Sequence, residues 1–133
     1  MNILFADTSF YVAALSARVV NHNRARELGQ GFRGRVCTTE YVLLEVATFF
    51  CAAANRAVFL ELLRSLENDP ATKVIPASAE LWRRGIDLFA ARMDKDWSLT
   101  DCISFEVMKE HDIVEALTAD HHFEQAGFVA LLK

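Results

Sequence analysis

Two acidic side chains follow apolar segments that are short enough to be β-strands. Asp7 comes directly after residues 3–6, and Asp120 comes three residues after residues 114–117. In an open α/β sheet, ligands bind in the crevice beyond the carboxyl ends of the strands. Each residue could instead simply cap the helix that follows it, a role that Asp fills well. Both positions are therefore compatible with chemistry and with helix capping.

Two further acidic residues lie within predicted helices. Glu45 is the only charged residue between positions 41 and 54, so apolar side chains flank it on a helix. An unpaired carboxylate there would be costly to desolvate, whereas one at the edge of the buried face would reach water or an arginine. Asp101 ends the sequence S-L-T-D, which has the spacing of a helix-capping box. Its place in the first turn also fits a ligand that projects toward the sheet crevice.

These four carboxylates can converge on one crevice. Like charges about 4 Å apart repel by about 4 kcal/mol per pair at an effective dielectric of about 20. Such a cluster therefore needs protons or a cation. Oxygen ligands without His or Cys select magnesium or manganese over zinc. A cation of this kind can lower the pKa of a bound water, and it can neutralise a phosphodiester in the transition state.

Short apolar segments alternate with segments of helical periodicity along the whole chain. The apolar segments predict β-strands at residues 3–6, 35–38, 73–75, 113–117 and 128–131. The other segments predict helices at residues 10–15, 22–32, 39–54, 56–66, 78–93, 98–111 and 120–127. Alternating strands and helices are typical of a parallel sheet that helices cover on both faces. The predicted fold class is therefore α/β.

Length and composition fit one globular domain. The chain has 133 residues, of which 53% are hydrophobic and 24% are charged, and this excludes a disordered chain. The longest nearly apolar segment, residues 46–54, is far shorter than the ~20 residues that a membrane helix needs. Cys37, Cys51 and Cys102 are scattered without zinc-site spacing, and we interpret them as reduced, buried thiols. We expect a soluble, cytoplasmic protein.

Charge is distributed unevenly along the chain. A formal net charge of −4 argues against a general nucleic-acid-binding protein. Residues 1–93 carry eleven basic and nine acidic side chains, whereas residues 94–133 carry three basic and nine acidic ones. Arginines at five positions between 18 and 35 could form a basic surface, although a solvated helix face explains them equally well. Three more, at positions 83, 84 and 92, could contact phosphate from another helix.

Four segments, in this order and spacing, resemble one known family. They are F-A-D-T-S at 5–9, T-T-E-Y-V-L-L-E at 38–45, W-S-L-T-D-C-I-S-F at 97–105 and L-T-A-D-H-H-F at 117–123. The chain resembles the PIN-domain ribonucleases, specifically the VapC-type toxins of toxin–antitoxin pairs. The resemblance implies a three-layer α/β/α sandwich with a short, mostly parallel central sheet. It also implies that residues 1–133 form a single PIN domain.

The resemblance implies an activity and its residues. The expected function is a magnesium- or manganese-dependent endoribonuclease, the toxin of a type II toxin–antitoxin system, which cleaves RNA phosphodiesters with a metal-activated water. Products would carry 5′-phosphate and 3′-hydroxyl ends. The expected catalytic and metal-binding residues are Asp7, Glu45, Asp101 and Asp120. We expect Thr8 or Ser9 to orient the attacking water or the first acid, and further support is expected from Asp96, Thr100 and Thr118.

Partners follow from the same resemblance. We expect an RNA substrate, with contacts from His22, Arg24 and Arg26, while His121 and His122 are expected to have structural or supporting roles. A cognate antitoxin would bind the apolar helix pair around residues 49–50 and 58–60, and the toxin would form a homodimer without membrane contact. The alternative is a catalytically silent PIN-fold module that binds RNA or protein. A phospho-accepting receiver domain fits poorly, because no late lysine is suitably placed.

Overall fold

The computed structural model describes residues 2–133; Met1, the first residue of the expected domain, lies outside the described residues. The strands are β1 (Ile3–Ala6), β2 (Arg35–Thr39), β3 (Thr72–Ile75), β4 (Glu115–Leu117) and β5 (Val129–Ala130). The helices are α1 (Thr8–Leu15), α2 (His22–Gly31), α3 (Glu40–Phe49), α4 (Arg56–Glu67), α5 (Ala79–Ala91), α6 (Leu99–Glu110) and α7 (His121–Gln125). A 3-10 turn at Ala53–Asn55 joins α3 to α4. The predicted α/β class is confirmed.

The strands form one parallel sheet in the order β3-β2-β1-β4-β5. In the register of the sheet, Phe5 of β1 lies between Cys37 of β2 and Ala116 of β4. The main-chain N–H of Asp7 continues this pairing by donating to the carbonyl of Leu117 at 3.1 Å. Because parallel strands end at the same edge, the residues that follow β1 and β4 become neighbours.

Helix α6 is the most deeply buried helix and fixes the position of Asp101. Its Phe105 makes edge-to-face contacts with Trp97 and Phe123, at centroid distances of 5.0 and 4.9 Å. Gly85 of α5 lets the two helices approach closely, since a Cβ at this position would overlap Cγ1 of Ile103. The first turn of α6 is therefore held by packing along the rest of the helix.

Four predicted helix caps are confirmed by side-chain hydrogen bonds. The oxygens of Thr39, Ser78, Ser98 and Asp120 accept from main-chain N–H groups at the starts of α3, α5, α6 and α7. The start of α1 differs from the prediction, because the helix begins at Thr8 rather than residue 10. Asp7 holds the cap position there, yet its carboxylate makes no capping hydrogen bond. Its side chain is therefore available for another purpose.

Several predicted ends were wrong. Helix α3 stops at Phe49 rather than near residue 54, and the carbonyl of Cys51 accepts instead from the side chain of Arg56. Cys51 is consequently exposed, whereas the other two cysteines are buried as expected. Strand β4 starts two residues late, because Asp112 has a φ of 55° and turns the N–H of Ile113 back to α6. Helix α5 and strand β5 are also shorter than predicted.

Within residues 2–133, no helix combines the length and apolar character that crossing a membrane requires.

Candidate active site

The ends of β1 and β4 bring the first and fourth acids together. Asp7 is only 4% exposed. The buried hydroxyl of Thr118 donates to Asp7 Oδ2 at 2.8 Å, and the same oxygen of Thr118 accepts the main-chain N–H of Asp120 at 3.0 Å. Thr118 thus links the two acids directly. The resemblance implies a supporting role for Thr118, and these contacts place its hydroxyl between Asp7 and the main chain of Asp120.

The two hydroxyls at the start of α1 serve different carboxylates. Ser9 Oγ lies 3.3 Å from Asp7 Oδ2 and 3.1 Å from Thr118 Oγ1, and it accepts the N–H of Ala119 at 3.1 Å. Thr8 Oγ1 instead donates to Glu45 Oε1 at 2.6 Å. The resemblance implies that Thr8 or Ser9 orients the attacking water or the first acid, and of the two side chains it is that of Ser9 that contacts Asp7.

Glu45 lies at the edge of the buried face of α3. Val42 and Val46 on this helix are fully buried, Leu44 is 66% exposed, and Glu45 itself is half-buried. This corresponds to the edge position that the sequence leaves open, and the carboxylate accepts a hydrogen bond from the hydroxyl of Thr8. The contact engages one of the two carboxylate oxygens of Glu45.

Asp101 acts as a helix cap and also faces the other acids. Its N–H donates to Ser98 Oγ at 3.0 Å, and its Oδ2 accepts the N–H of Ser98 at 3.1 Å. The same Oδ2 lies 3.0 Å from Nδ1 of His122, whose ring nitrogen is 3.3 Å from Asp120 Oδ1. Capping and participation in the acidic cluster are therefore combined in one side chain.

His122 joins the third and fourth acids more closely than the sequence indicates. Its main-chain N–H donates to Asp120 Oδ1 at 2.9 Å, while its ring contacts Asp101. Asp120 also caps α7 through this bond, which confirms the predicted cap, and its side chain faces His122 as well. The sequence signal for this contact is a short helix that is capped by Asp and has a His two residues later. The direction of the His122 ring, however, depends on the geometry of the loop before α7.

Burial and mutual repulsion shape the electrostatics of this cluster. Burial raises the pKa of Asp7 to about 7, the charges of Asp101 and Asp120 add to this, and hydrogen bonds from Thr118 and the N–H of Thr8 oppose it. Burial also raises the pKa of Asp101, assisted by the charge of Asp120 and opposed by the N–H of Ser98 and by His122. Three of the acids are therefore close enough to influence one another.

The donor set fits a hard divalent cation. Burial, and to a smaller extent the charges of Asp101 and Asp120, raise the pKa of Asp7, and a divalent charge among the carboxylates would oppose both effects. Oxygen donors from Asp7, Asp101 and Asp120 suit magnesium or manganese. At the rim, ligand atoms of Asp120, His121 and His122 lie within 4.8 Å of one another and add nitrogen donors. The residues present therefore fit the expected metal.

The remaining predicted residues lie outside this network of hydrogen bonds. Thr100 is half-buried beside Asp101, and Asp96 is exposed in the loop before α6. Nδ1 of His22 lies 2.7 Å from the carbonyl of Ala13 and ties α2 to α1. Arg24 and Arg26 are exposed on α2 and take no part in the contacts that join the four acids.

The predicted arginine surfaces are divided by the fold. Arg35 begins β2 and so lies at the edge of the sheet opposite the acids. Arg84 is within 3.5 Å of Glu106 and 3.3 Å of Glu110, which engage its charge. Arg92, in contrast, lies in the loop that leads to the first turn of α6. Its charge is engaged by Asp94, and its guanidinium lies 5.0 Å from the centroid of the Trp97 ring.

Comparison with known proteins identifies the class. The model of the PIN domain family matches residues 4–129, so the chain belongs to the PIN domain family. It is 28% identical over 134 residues to the 23S rRNA-specific endonuclease VapC20 of Mycobacterium tuberculosis, in strains CDC 1551 / Oshkosh and ATCC 25618 / H37Rv, and the match covers 96% of each protein. The resemblance to VapC-type toxins is thereby confirmed.

Solved structures agree with the sequence relatives. The crystal structure of M. tuberculosis VapC20, described as a Sarcin-Ricin loop cleaving toxin, superposes with a TM-score of 0.86 at 26% identity, covering 96% of this chain and 97% of that one. FitAcB from Neisseria gonorrhoeae superposes with a TM-score of 0.65 at 17% identity, covering 96% and 94%. The FitAcB match supports the fold alone. The α/β sandwich predicted from the resemblance is confirmed.

Proposed function

We propose that this protein is a divalent-metal-dependent endoribonuclease and the toxin of a type II toxin–antitoxin pair. The observation that carries the proposal is the network at one edge of a PIN-type sheet, in which Thr118 and His122 join Asp7, Asp120 and Asp101. Glu45 is held by Thr8, the residue that follows Asp7. The VapC20 relative is named as an endonuclease, and this supports a nuclease in the same class. A single PIN domain across the chain is part of the proposal.

Each side chain has a defined task in the proposed reaction. Asp7, Asp101 and Asp120 hold magnesium or manganese, which when bound supplies positive charge toward a phosphate and lowers the pKa of a water. Thr118 and Ser9 hold Asp7 in place. His122 contacts Asp101 and Asp120 and so sets the distance between them. The buried hydrogen bonds limit motion of the ligands, which is the condition for electrostatic stabilisation of a transition state.

Glu45 is the acid best placed to receive a proton. Thr8 engages Oε1, so that the second oxygen of this half-buried carboxylate can accept a proton from the attacking water. Because water is the nucleophile in this scheme, the ribose 2′-hydroxyl is not required. Cleavage should therefore leave a 5′-phosphate and a 3′-hydroxyl, with no 2′,3′-cyclic product.

Structured ribosomal RNA is the first substrate to test. The relatives are named for 23S rRNA and for the Sarcin-Ricin loop. The match covers nearly the whole of both chains, so the same class of RNA is a reasonable starting point for this protein. His22, Arg24 and Arg26 remain proposed phosphate contacts. Cleavage of ribosomal RNA and binding of an antitoxin would both place the protein in the cytoplasm.

An apolar groove between α3 and α4 is the proposed antitoxin site. It has a volume of about 350 Å³ and is lined by Thr48, Phe50, Arg56, Phe59 and Leu60 among others. Leu60 is 57% exposed, and this leaves apolar surface for a helix or an extended segment of the antitoxin. An antitoxin arginine among the carboxylates would compete with the metal. We also propose that the toxin forms a homodimer.

The test is cleavage of ribosomal RNA by the purified protein with manganese, with magnesium and with EDTA. We expect cleavage with either metal, loss of cleavage in EDTA, and loss in Asp7→Asn. Asp87→Asn, which alters an exposed acid on α5, is the matched control and should retain activity. Ligation that requires a 5′-phosphate reports the product ends. Binding of RNA without cleavage under all conditions would favour the catalytically silent module instead.

A further inference from the structure

We propose that a cavity beside Asp101 holds an unpaired base of the RNA, next to the phosphate that is cleaved. This inference rests on the proposed nuclease function and adds a subsite to it. The cavity has a volume of about 370 Å³ and is lined by Phe89, Arg92, Met93, Lys95, Asp96 and Trp97, with Cys102. This volume is typical of pockets that hold small molecules, which range from about 300 to 1,000 Å³.

Trp97 in the cavity wall connects the cavity to α6, which carries Asp101, and to α7, which Asp120 caps. Trp97 directly precedes Ser98, whose N–H donates to Asp101 Oδ2 at 3.1 Å. Nε1 of Trp97 donates to Oε1 of Gln125 at 3.0 Å, and Gln125 ends the helix that Asp120 caps. A group bound in this cavity is therefore positioned relative to the acidic cluster through short, well-packed contacts.

The lining offers flat, partly exposed surfaces. The carboxylate of Asp94 accepts two hydrogen bonds of 3.0 Å from Arg92, and the guanidinium lies 5.0 Å from the centroid of the Trp97 ring. Trp97 is itself only 6% exposed, but Phe89 is 49% and Met93 is 88% exposed. Unpaired RNA bases stack on aromatic rings and on guanidinium planes, so this lining suits a base.

The charges favour a nucleotide over a free anion. Asp94 largely neutralises Arg92, so the cavity lacks the concentrated positive charge that would hold an isolated phosphate. Lys95 supplies one cation for the backbone of the same nucleotide, and the carboxylate of Asp96 can accept hydrogen bonds from amino or imino groups of a base. Apolar surface, one cation and one acceptor together match a base with its attached phosphate.

The test is binding of short single-stranded RNAs in EDTA, so that no cleavage occurs. Fluorescence anisotropy is measured with labelled eight-nucleotide oligo(A), oligo(C), oligo(U) and an abasic ribose-phosphate strand. We expect Phe89→Ala to weaken binding of the base-containing RNAs about tenfold, the lower part of the range for loss of one stacking side chain. Trp82→Ala is the matched control, because Trp82 is an aromatic residue of the same helix, is 47% exposed and does not line the cavity.

Two further measurements test the subsite without relying on the affinity of Phe89→Ala, which a loss of protein stability could also lower. Lys95→Met should reduce the dependence of log Kd on log salt by about one, as expected for loss of one phosphate contact. In Trp82→Phe, Trp97 is the single remaining tryptophan of the chain, and its emission should change with oligo(A) but not with the abasic strand. Circular dichroism and thermal melting establish that the variants are folded.

Three outcomes of the binding and sedimentation experiments would overturn the inference. The first is equal RNA affinity of Phe89→Ala and Trp82→Ala, and the second is equal binding of abasic and normal strands. The third is an effect of Phe89→Ala on self-association in sedimentation without an effect on RNA binding. Cleavage with an unchanged KM in Phe89→Ala would refute the subsite and leave the nuclease intact. Base-dependent binding by a protein that never cleaves RNA would support the subsite and refute the nuclease.

Discussion

The buried carboxylate of Asp7 should make the metal-free protein less stable as pH rises. The pKa of Asp7 rises from its ordinary value of 3.8 to about 7 in the folded chain. The folded protein therefore binds this proton more tightly than the unfolded chain does. Between about pH 4 and pH 7 the folded state holds more protons, so the free energy of unfolding falls with pH. Below this window the contribution of Asp7 is constant.

The expected magnitude follows from the same two values. A rise from 3.8 to about 7 corresponds to about 4 kcal/mol, which is an upper estimate for the stability lost between pH 4 and pH 8. Asp7→Asn removes the titrating group and keeps an oxygen that can accept from Thr118. The pH-dependent part of the difference between wild type and this variant therefore reports the titration of Asp7 together with its coupling to Asp101 and Asp120.

The assay is urea denaturation at fixed pH values from 4 to 8 in EDTA. We expect Asp7→Asn to gain stability relative to wild type as pH rises, and to show little relative change below pH 4. Added magnesium should stabilise wild type more at pH 8 than at pH 5, because the cation binds the ionised cluster and mass action favours the state that binds it. A difference between the two proteins that stays flat from pH 5 to pH 8 would refute this account of Asp7.

Three further changes test the site and its support. Glu45→Gln should keep the fold and lower the rate of RNA cleavage at least a hundredfold in manganese, measured in single-turnover assays, because its proton acceptor is lost. His122→Ala should weaken manganese binding about tenfold in calorimetry, since it removes the contact between the ring and Asp101. Gly85→Val should lower the free energy of unfolding by about 1–3 kcal/mol in urea titrations, because the new side chain overlaps Ile103. Full cleavage by Glu45→Gln, unchanged calorimetry for His122→Ala, or wild-type stability of Gly85→Val would contradict the respective assignment.

The fold class could be predicted because each strand and helix carries its own local signal. Short apolar segments with turn residues mark the strands, and caps such as Thr39 and Ser98 mark where helices begin. The end of α3 could not be predicted in this way. Its sequence continues with small and apolar residues that are favourable for a helix. The chain nevertheless leaves the helix, and the side chain of Arg56 donates to the carbonyl of Cys51. Tertiary contacts decide such ends.

The candidate site was predictable to a similar extent. Acids after β1 and β4 predicted that Asp7 and Asp120 would be neighbours, and the structure confirms that they lie close together with Asp101. That these acids and Glu45 form the catalytic site stays a prediction. The ring direction of His122 was not predictable, because α7 has five residues and its orientation depends on how Thr118 and Asp120 close the preceding loop. The cavity at Phe89 was equally hidden, since it forms only when the end of one helix packs beside the start of the next.

One oxygen of Asp101 serves both the helix cap and the acidic cluster, and this limits which residue can be replaced to remove activity alone. Oδ2 both anchors the first turn of a central helix and meets His122. Replacing Asp101 would therefore damage the scaffold together with the reaction, whereas replacing Glu45 leaves the helix starts intact. A lineage that loses toxicity while retaining the antitoxin-binding shape should accumulate changes at Glu45 first. For the same reason, a harmless version intended for studies of the complex is better made at Glu45 than at Asp101.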